Sequence, residues 1–193
     1  MKVFAVVFGA IMWMIMVSSC QSSQHADEIR QIDSLLVVHQ ETASLLNQVD
    51  SLHAKASRDT FARNWSGIRA VIEANPDVIE VKNDPWWNYA TLYEANDRGV
   101  KKLLRRYFRL LENHRLNEAQ LTAFRSSVKN DQIPSDSIPL YLISEKEAVN
   151  RVQHETSLVV PELMRTLEVL DSLHAFAGEA SAHYHEILSV KTK

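Results

Sequence analysis

Apolar residues along most of this chain recur every three or four positions, the spacing that places side chains on one face of an α-helix. The first series, from Leu35 to Ala56, predicts one amphipathic helix over residues 28–56. A second helix is predicted after a break near Ser57 to Asp59. It should end at Asn75-Pro76, because the residue before a proline is pushed out of the helical region.

The most clearly two-faced segment is predicted to begin at Asp84-Pro85, with the carboxylate as cap, and to run to about Asn113. At 100° per residue, its basic side chains fall within a sector of about 140°. We call these six residues the basic stripe: Arg98, Lys101, Lys102, Arg105, Arg106 and Arg109. The opposite sector is apolar and contains Val100, Leu103, Leu104, Tyr107, Phe108, Leu110 and Leu111.

Two further helices are predicted towards the C-terminus. Asn117 and Gln120 form the pattern of a capping box and predict a short helix to about Lys129, followed by a loop over residues 130–139. The last helix should run from Ser144 to about Ser189 and continue through Pro161 with a kink. The expected fold is all-α, an elongated antiparallel bundle of four to five helices.

The N-terminus has a different pattern. After Lys2, the stretch Val3 to Val17 is apolar apart from Gly9. It reaches roughly 22 Å as a helix, short of a bilayer core of about 30 Å. A secretory signal peptide is therefore favoured over a permanent span.

The end of this apolar stretch, Val17-Ser18-Ser19-Cys20, resembles the lipobox of bacterial lipoproteins. The resemblance implies that residues 1–19 are a cleaved signal peptide and that Cys20 is acylated, for example with palmitate. Residues 20–27 would then be a tether and residues 28–193 a single α-helical domain. The implied location is the bacterial cell envelope, with the domain in the periplasm or at the cell surface. The membrane would be a partner through the lipid, and no other cofactor is expected.

Charge and cysteine content exclude some classes of protein. The formal net charge is −3, which argues against a nucleic-acid partner. Cys20 is the only cysteine, so the chain contains no internal disulfide and no other thiol for catalysis. A phosphate-binding glycine loop and a Gly-x-Ser-x-Gly elbow are absent from the sequence. No catalytic residues are predicted, and a hydrolase is a minor alternative.

Histidine is the candidate for metal chemistry, since eight are present. His154-Glu155 and His185-Glu186 each begin a zincin motif but lack its second histidine, so no metal ligands are assigned. A site joining His53 to His174 across a helix pair is conceivable. The alternative is that these histidines are hydrogen-bonded within the fold or face solvent.

Two surfaces are candidates for binding. The basic stripe could meet lipid phosphates, an anionic envelope polymer such as a glycan, or an acidic protein. Alternatively, it could be a solvated face or be paired with acids such as Glu145, Glu147 and Glu162. The aromatic residues Trp86, Trp87 and Tyr89 could bind a sugar or a partner, or could close the end of the bundle.

Two repeated sequence patterns remain. Asp-Ser-Leu-His-Ala occurs at residues 50–54 and 171–175, through duplication or shared amphipathic constraints. Asp136-Ser137-Ile138 resembles the Asp-Ser/Thr-aliphatic acceptor for O-glycosylation in one group of Gram-negative bacteria, which makes Ser137 a candidate acceptor.

The function predicted from the sequence is that of a non-enzymatic helical scaffold or accessory binding protein, anchored to an envelope membrane and bound to an envelope protein or anionic polymer. The alternative is a histidine-based carrier of a metal or small ligand.

Overall fold

The computed structural model describes residues 25–75 and 84–191. The described residues form four helices and no strand: α1 (Ala26–Leu46), α2 (Ser51–Ala74), α3 (Pro85–Lys129) and α4 (Ile138–Lys191). The predicted all-α class is therefore confirmed. Among the described residues, none of the helices is long and apolar enough to cross a membrane.

The break between the first two helices lies at residues 47–50, and the prediction of a break at Ser57 to Asp59 is wrong. Asp50 is the N-cap of α2, and its side chain accepts hydrogen bonds from the backbone N–H groups of Leu52 and His53. Ser57, in contrast, uses its hydroxyl in contacts with another helix. A serine whose side chain is occupied in this way no longer competes for its own backbone, so the helix continues through it.

The third helix begins where Asp84-Pro85 predicts, since Asp84 Oδ1 accepts a hydrogen bond from the Trp86 N–H. The predicted stop near Asn113 and the capping box at Asn117 are wrong, because α3 is continuous to Lys129. Gln120 does not reach back to a helix end but donates to Glu145 Oε1 at 2.7 Å. The helix continues because the residues beyond the predicted stop are buried, among them Leu121, Phe124 and Val128.

The last helix begins at Ile138, six positions before the predicted start at Ser144, and it continues through Pro161 as predicted. Pro139 lies in its first turn, where the missing N–H costs least. Ile138 is fully buried, which explains why the helix includes it. The loop therefore shortens to residues 130–137 and contains Asp131, whose φ of 51° is left-handed.

The described helices contribute to two compact units. Unit 1 contains residues 25–39 and 116–149. Its core is formed by Ile32, Leu121, Phe124, Val128, Ile138 and Val149. At its surface, Arg125 donates to both carboxylate oxygens of Asp33, and this hydrogen bonding lowers the pKa of Asp33.

Unit 2 contains residues 40–75, 84–115 and 150–191. Within it α3 runs antiparallel to both α2 and α4, because later residues of these two helices contact earlier residues of α3. For α2 the contacts are Arg58 with Asp97 and Asn64 with Tyr93. For α4, His174 contacts Tyr93 and His183 packs against Trp86. The core between the three helices includes Val100, Leu110, Val159, Leu163, Leu170 and Tyr184.

Candidate functional site

A chain of hydrogen-bonded side chains joins the three helices of unit 2. We call it the polar network. It contains His53 and Ser57 from α2, Tyr93 from α3, and Asp171 and His174 from α4. The spacings of four residues on α2 and three on α4 place each pair on one helix face, directed at the neighbouring helices.

The hydrogen-bond directions in the network follow from Asp171, whose carboxylate can only accept. Ser57 Oγ therefore donates to Asp171 Oδ1 at 2.5 Å, and His53 Nε2 donates to Asp171 Oδ2 at 2.7 Å. Because the Ser57 hydrogen is used, His174 Nε2 must be the donor in its 3.0 Å contact with Ser57 Oγ. This tautomer leaves His174 Nδ1 as the acceptor for the Tyr93 hydroxyl at 2.6 Å. Asn64 completes the chain by donating to the Tyr93 oxygen at 3.2 Å.

The network extends from the surface into the core. The His53 side chain is 54% exposed and that of His174 is 19% exposed, whereas Tyr93 as a whole is 2% exposed. Burial lowers the pKa of His174, against a smaller opposing effect of the Asp171 charge. Burial also raises the pKa of Tyr93. Both shifts favour the neutral forms that the hydrogen-bond directions require.

The direction of these bonds decides what the network does chemically. A catalytic serine gives its proton to a histidine, which acts as the base. Here the Ser57 hydroxyl donates its hydrogen bond to Asp171 and accepts one from His174, so the imidazole is not positioned as its base. Ser57 is also only 4% exposed. The arrangement is that of an internal polar clasp between α2, α3 and α4.

The predicted proximity of His53 and His174 is partly realised. Both imidazoles reach Asp171, but each Nε2 atom is already hydrogen-bonded, to Asp171 and Ser57 respectively. A metal held by both imidazoles would have to displace a hydrogen bond of His174, because both ring nitrogens of His174 are engaged. Ser57 and Tyr93 were not predicted as members. The repeated pentapeptide also points to the network, since its two copies contain both histidines and Asp171.

The two pentapeptides do not have equivalent environments. Asp50 caps a helix, whereas Asp171 accepts the network hydrogen bonds. Leu52 is 79% exposed, whereas Leu173 is 6% exposed. Shared packing therefore does not account for the sequence likeness.

The basic stripe lies on the solvent side of α3. Arg106 is half-buried and the other five cations are exposed, while Val100, Leu103, Leu104, Tyr107 and Leu110 are buried on the opposite side. Phe108, which was predicted for the apolar face, is 52% exposed beside the stripe. The helical sector of Phe108 adjoins that of Lys101, which explains its exposure.

Ion pairing separates Arg98 from the rest of the stripe. Arg98 lies 3.9 Å from Glu94 on its own helix. Within residues 25–75 and 84–191, the other five cations have no carboxylate within ion-pair distance. Glu145, one of the acids considered as a partner, is buried and accepts from Gln120 instead. Ion pairs among the described residues therefore neutralise only Arg98 of the basic stripe.

The aromatic residues that open α3 pack partly against α4. The Trp86 ring lies 5.6 Å from His183, and the Tyr89 ring stacks on Phe176 at 5.4 Å. Trp86 and Trp87 are half-buried, and Tyr89 is 45% exposed. Packing within the bundle thus explains much of this cluster, although one edge stays open to solvent.

Comparison with protein-family models, curated proteins and solved structures finds no significant match. The assignment of a function therefore depends on the geometry of the chain itself. Cys20 and the signal-peptide prediction lie outside the described residues. Ser137 is half-buried at the start of α4, where its hydroxyl donates to Asp136 at 3.2 Å and its carbonyl accepts from the N–H groups of Leu140 and Tyr141.

Proposed function

We propose that this chain is a lipoprotein of the bacterial cell envelope, anchored through Cys20, that acts as a non-enzymatic scaffold or accessory binding protein. In this role, a bundle of four to five antiparallel helices presents the basic stripe to an acidic protein or an anionic envelope polymer. The observation that carries the proposal is the set of five cations that have no acidic partner among the described residues.

Cations held on one helix face repel one another and raise the local positive potential, even though the whole chain is slightly acidic. An anionic partner relieves this repulsion and gains attraction to several charges at once. Salt should weaken such binding, because the Debye length is about 10 Å at 0.1 M ionic strength. The exposed ring of Phe108 offers an apolar contact beside the charges.

The test is charge reversal followed by crosslinking and mass spectrometry in cells. Lys101→Glu, Arg105→Glu and Arg109→Glu together should remove partners that the wild-type chain crosslinks. The matched control reverses Lys55, Arg151 and Arg165, which are exposed, so it makes the same change in net charge outside the stripe. An unchanged partner set for the stripe variant would refute binding through these residues.

The anchor has its own test. Cys20→Ser removes the thiol that the lipobox resemblance assigns to acylation, so the protein should leave the membrane fraction and lose the mass of its acyl groups. If the variant stays with the membrane at an unchanged electrophoretic mobility, the lipoprotein proposal is wrong.

The second candidate function, a histidine-based carrier, is supported by the contacts that His53 and His174 both make with Asp171. Titration calorimetry of the full chain with zinc, copper and nickel tests it. His53→Ala should abolish uptake if this cluster binds the metal, whereas the exposed His185→Ala should not change it. Absence of heat with all three metals would remove this candidate.

A further inference from the structure

Unit 1 contains an open groove between the first turns of α1 and the first turns of α4. Its volume is about 470 Å³. Leu35 from α1 and Pro139, Leu142 and Ile143 from α4 supply apolar walls, with polar side chains beside them, among them Glu28 and Lys146. The groove is thus an apolar depression with charged groups at its edge.

Three apolar residues in the first two turns of α4 are unusually exposed for their chemistry, and one of them, Ile143, lines the groove. Leu140 is 70% exposed, Tyr141 52% and Ile143 57%. Ile138 points inward instead and is fully buried in the core of unit 1. Single exposed apolar residues are ordinary on a protein surface, whereas large exposed apolar patches mark contacts with a membrane or a partner. We call Leu140, Tyr141 and Ile143 the apolar rim.

The path of the chain places the apolar rim close to the proposed anchor. His25, at the start of α1, is buried against the loop that leads into α4: its Nε2 lies 3.5 Å from both Ser135 Oγ and Asp131 Oδ1. Five residue steps separate His25 from Cys20, and a fully extended chain covers at most about 3.6 Å per step, or about 18 Å. An acylated Cys20 therefore keeps this end of unit 1 within about 18 Å of the membrane surface.

We propose that the apolar rim inserts into the interfacial layer of the membrane that holds Cys20. This inference rests on the lipid anchor of the proposed function. Leucine and isoleucine gain by leaving water, and tyrosine suits the boundary because its ring is apolar and its hydroxyl polar. The tether holds the rim at a high local concentration of lipid, so even a weak affinity is sufficient for contact. Glu28 and Lys146, at the edge of the groove, would lie at head-group level.

The experiment uses the full acylated chain in vesicles of phosphatidylcholine and phosphatidylglycerol. Because acylation blocks Cys20, a single introduced cysteine can carry a polarity-sensitive fluorophore. Leu140→Cys places the label on the apolar rim, and Ile143→Cys is a second rim position in case the first variant misfolds. Thr122→Cys, an exposed position on α3 in the same unit, is the control. Lipids that carry a quencher near the head group report contact.

The rim labels should shift to shorter emission wavelengths on vesicles, and lipid quenching should be several-fold stronger than for the Thr122 label. Equal quenching at rim and control positions in protein that floats with the vesicles would overturn the inference and leave the anchor intact. Failure of the mature chain to be acylated or to float with vesicles would overturn the anchor and the inference together.

Discussion

Removal of the Tyr93 hydroxyl is the most direct perturbation of the polar network. Tyr93→Phe keeps the ring, which packs against Phe61 at 4.7 Å, and deletes only the group that joins α3 to the network. Two hydrogen bonds disappear, the one donated to His174 Nδ1 at 2.6 Å and the one accepted from Asn64 at 3.2 Å.

The size of the effect follows from which partner stays buried. Asn64 is half-exposed and can turn its amide towards water, so the loss of its hydrogen bond to Tyr93 costs little stability. The His174 side chain is only 19% exposed, and its Nδ1 atom is left without a donor. An unsatisfied buried acceptor costs about 1–3 kcal/mol, and we expect the free energy of unfolding to fall by that amount at pH 7.5.

The pH dependence gives a second readout. Burial places the folded-state pKa of His174 below its unfolded value of about 6.5, so the unfolded chain binds more protons near that pH. The stability that neutral His174 contributes is therefore fully present above about pH 6.5 and is lost as the pH falls towards the folded-state pKa. In Tyr93→Phe, Nδ1 of His174 no longer accepts a hydrogen bond and takes up a proton more easily, so the folded-state pKa of His174 rises. The stability gap between wild type and variant should thus shrink from pH 7.5 to pH 5.

Urea unfolding followed by circular dichroism measures both quantities. Tyr89→Phe is the matched control, since Tyr89 lies one turn earlier on α3, is 45% exposed and makes only ring contacts among the described residues. It should change stability by less than about 0.5 kcal/mol. Equal losses of stability in the two variants, or a Tyr93→Phe gap that does not depend on pH, would refute this role of the Tyr93 hydroxyl.

Three further predictions use the same unfolding assay. Asp50→Ala should destabilise by about 1 kcal/mol through loss of the α2 cap, whereas Asp50→Asn should stay close to wild type; equal losses would contradict the capping role. Burial raises the pKa of Glu145, so ionisation of its carboxyl group lowers the free energy of unfolding as the pH rises through that pKa. Glu145→Gln should therefore be more stable than wild type at pH 7.5, with the difference vanishing near pH 4, and a less stable variant at pH 7.5 would oppose this. Gly67→Ala should stabilise α2 by about 0.5–1 kcal/mol, because the added Cβ meets nothing within 4 Å; no gain would indicate an unseen contact.

The sequence predicted helices where one apolar period continued without interruption. The spacing on α3 and α4 is regular enough that the class, the start at Asp84 and the continuation through Pro161 could be predicted. Predicted breaks failed where a polar residue that is common at helix ends has a partner elsewhere in the fold. Ser57 contacts Asp171 and Gln120 contacts Glu145. A local sequence pattern cannot identify partners that are so distant along the chain.

The two candidate sites also differ in how far the sequence could predict them. The basic stripe is a property of one helix and could be predicted residue by residue. The polar network depends on which faces of three helices meet, so Ser57 and Tyr93 could not be identified from spacing alone. Whether acids on other helices reach the stripe likewise depends on tertiary structure: Glu145 is buried, and among the described residues only Arg98 of the stripe has a carboxylate within ion-pair distance.

Differences in hydrogen bonding and ion pairing are the reason that we propose a binding role for the basic stripe and not for the polar network. The hydrogen bonds of Ser57, Tyr93 and His174 run in one direction and end on Asp171, so a ligand there would have to replace bonds already made. Five cations of the basic stripe have no such internal partner among the described residues, so an anionic group could bind them without breaking an existing ion pair. A polar cluster that is satisfied internally stabilises the fold, whereas an unsatisfied one at the surface is available to a partner.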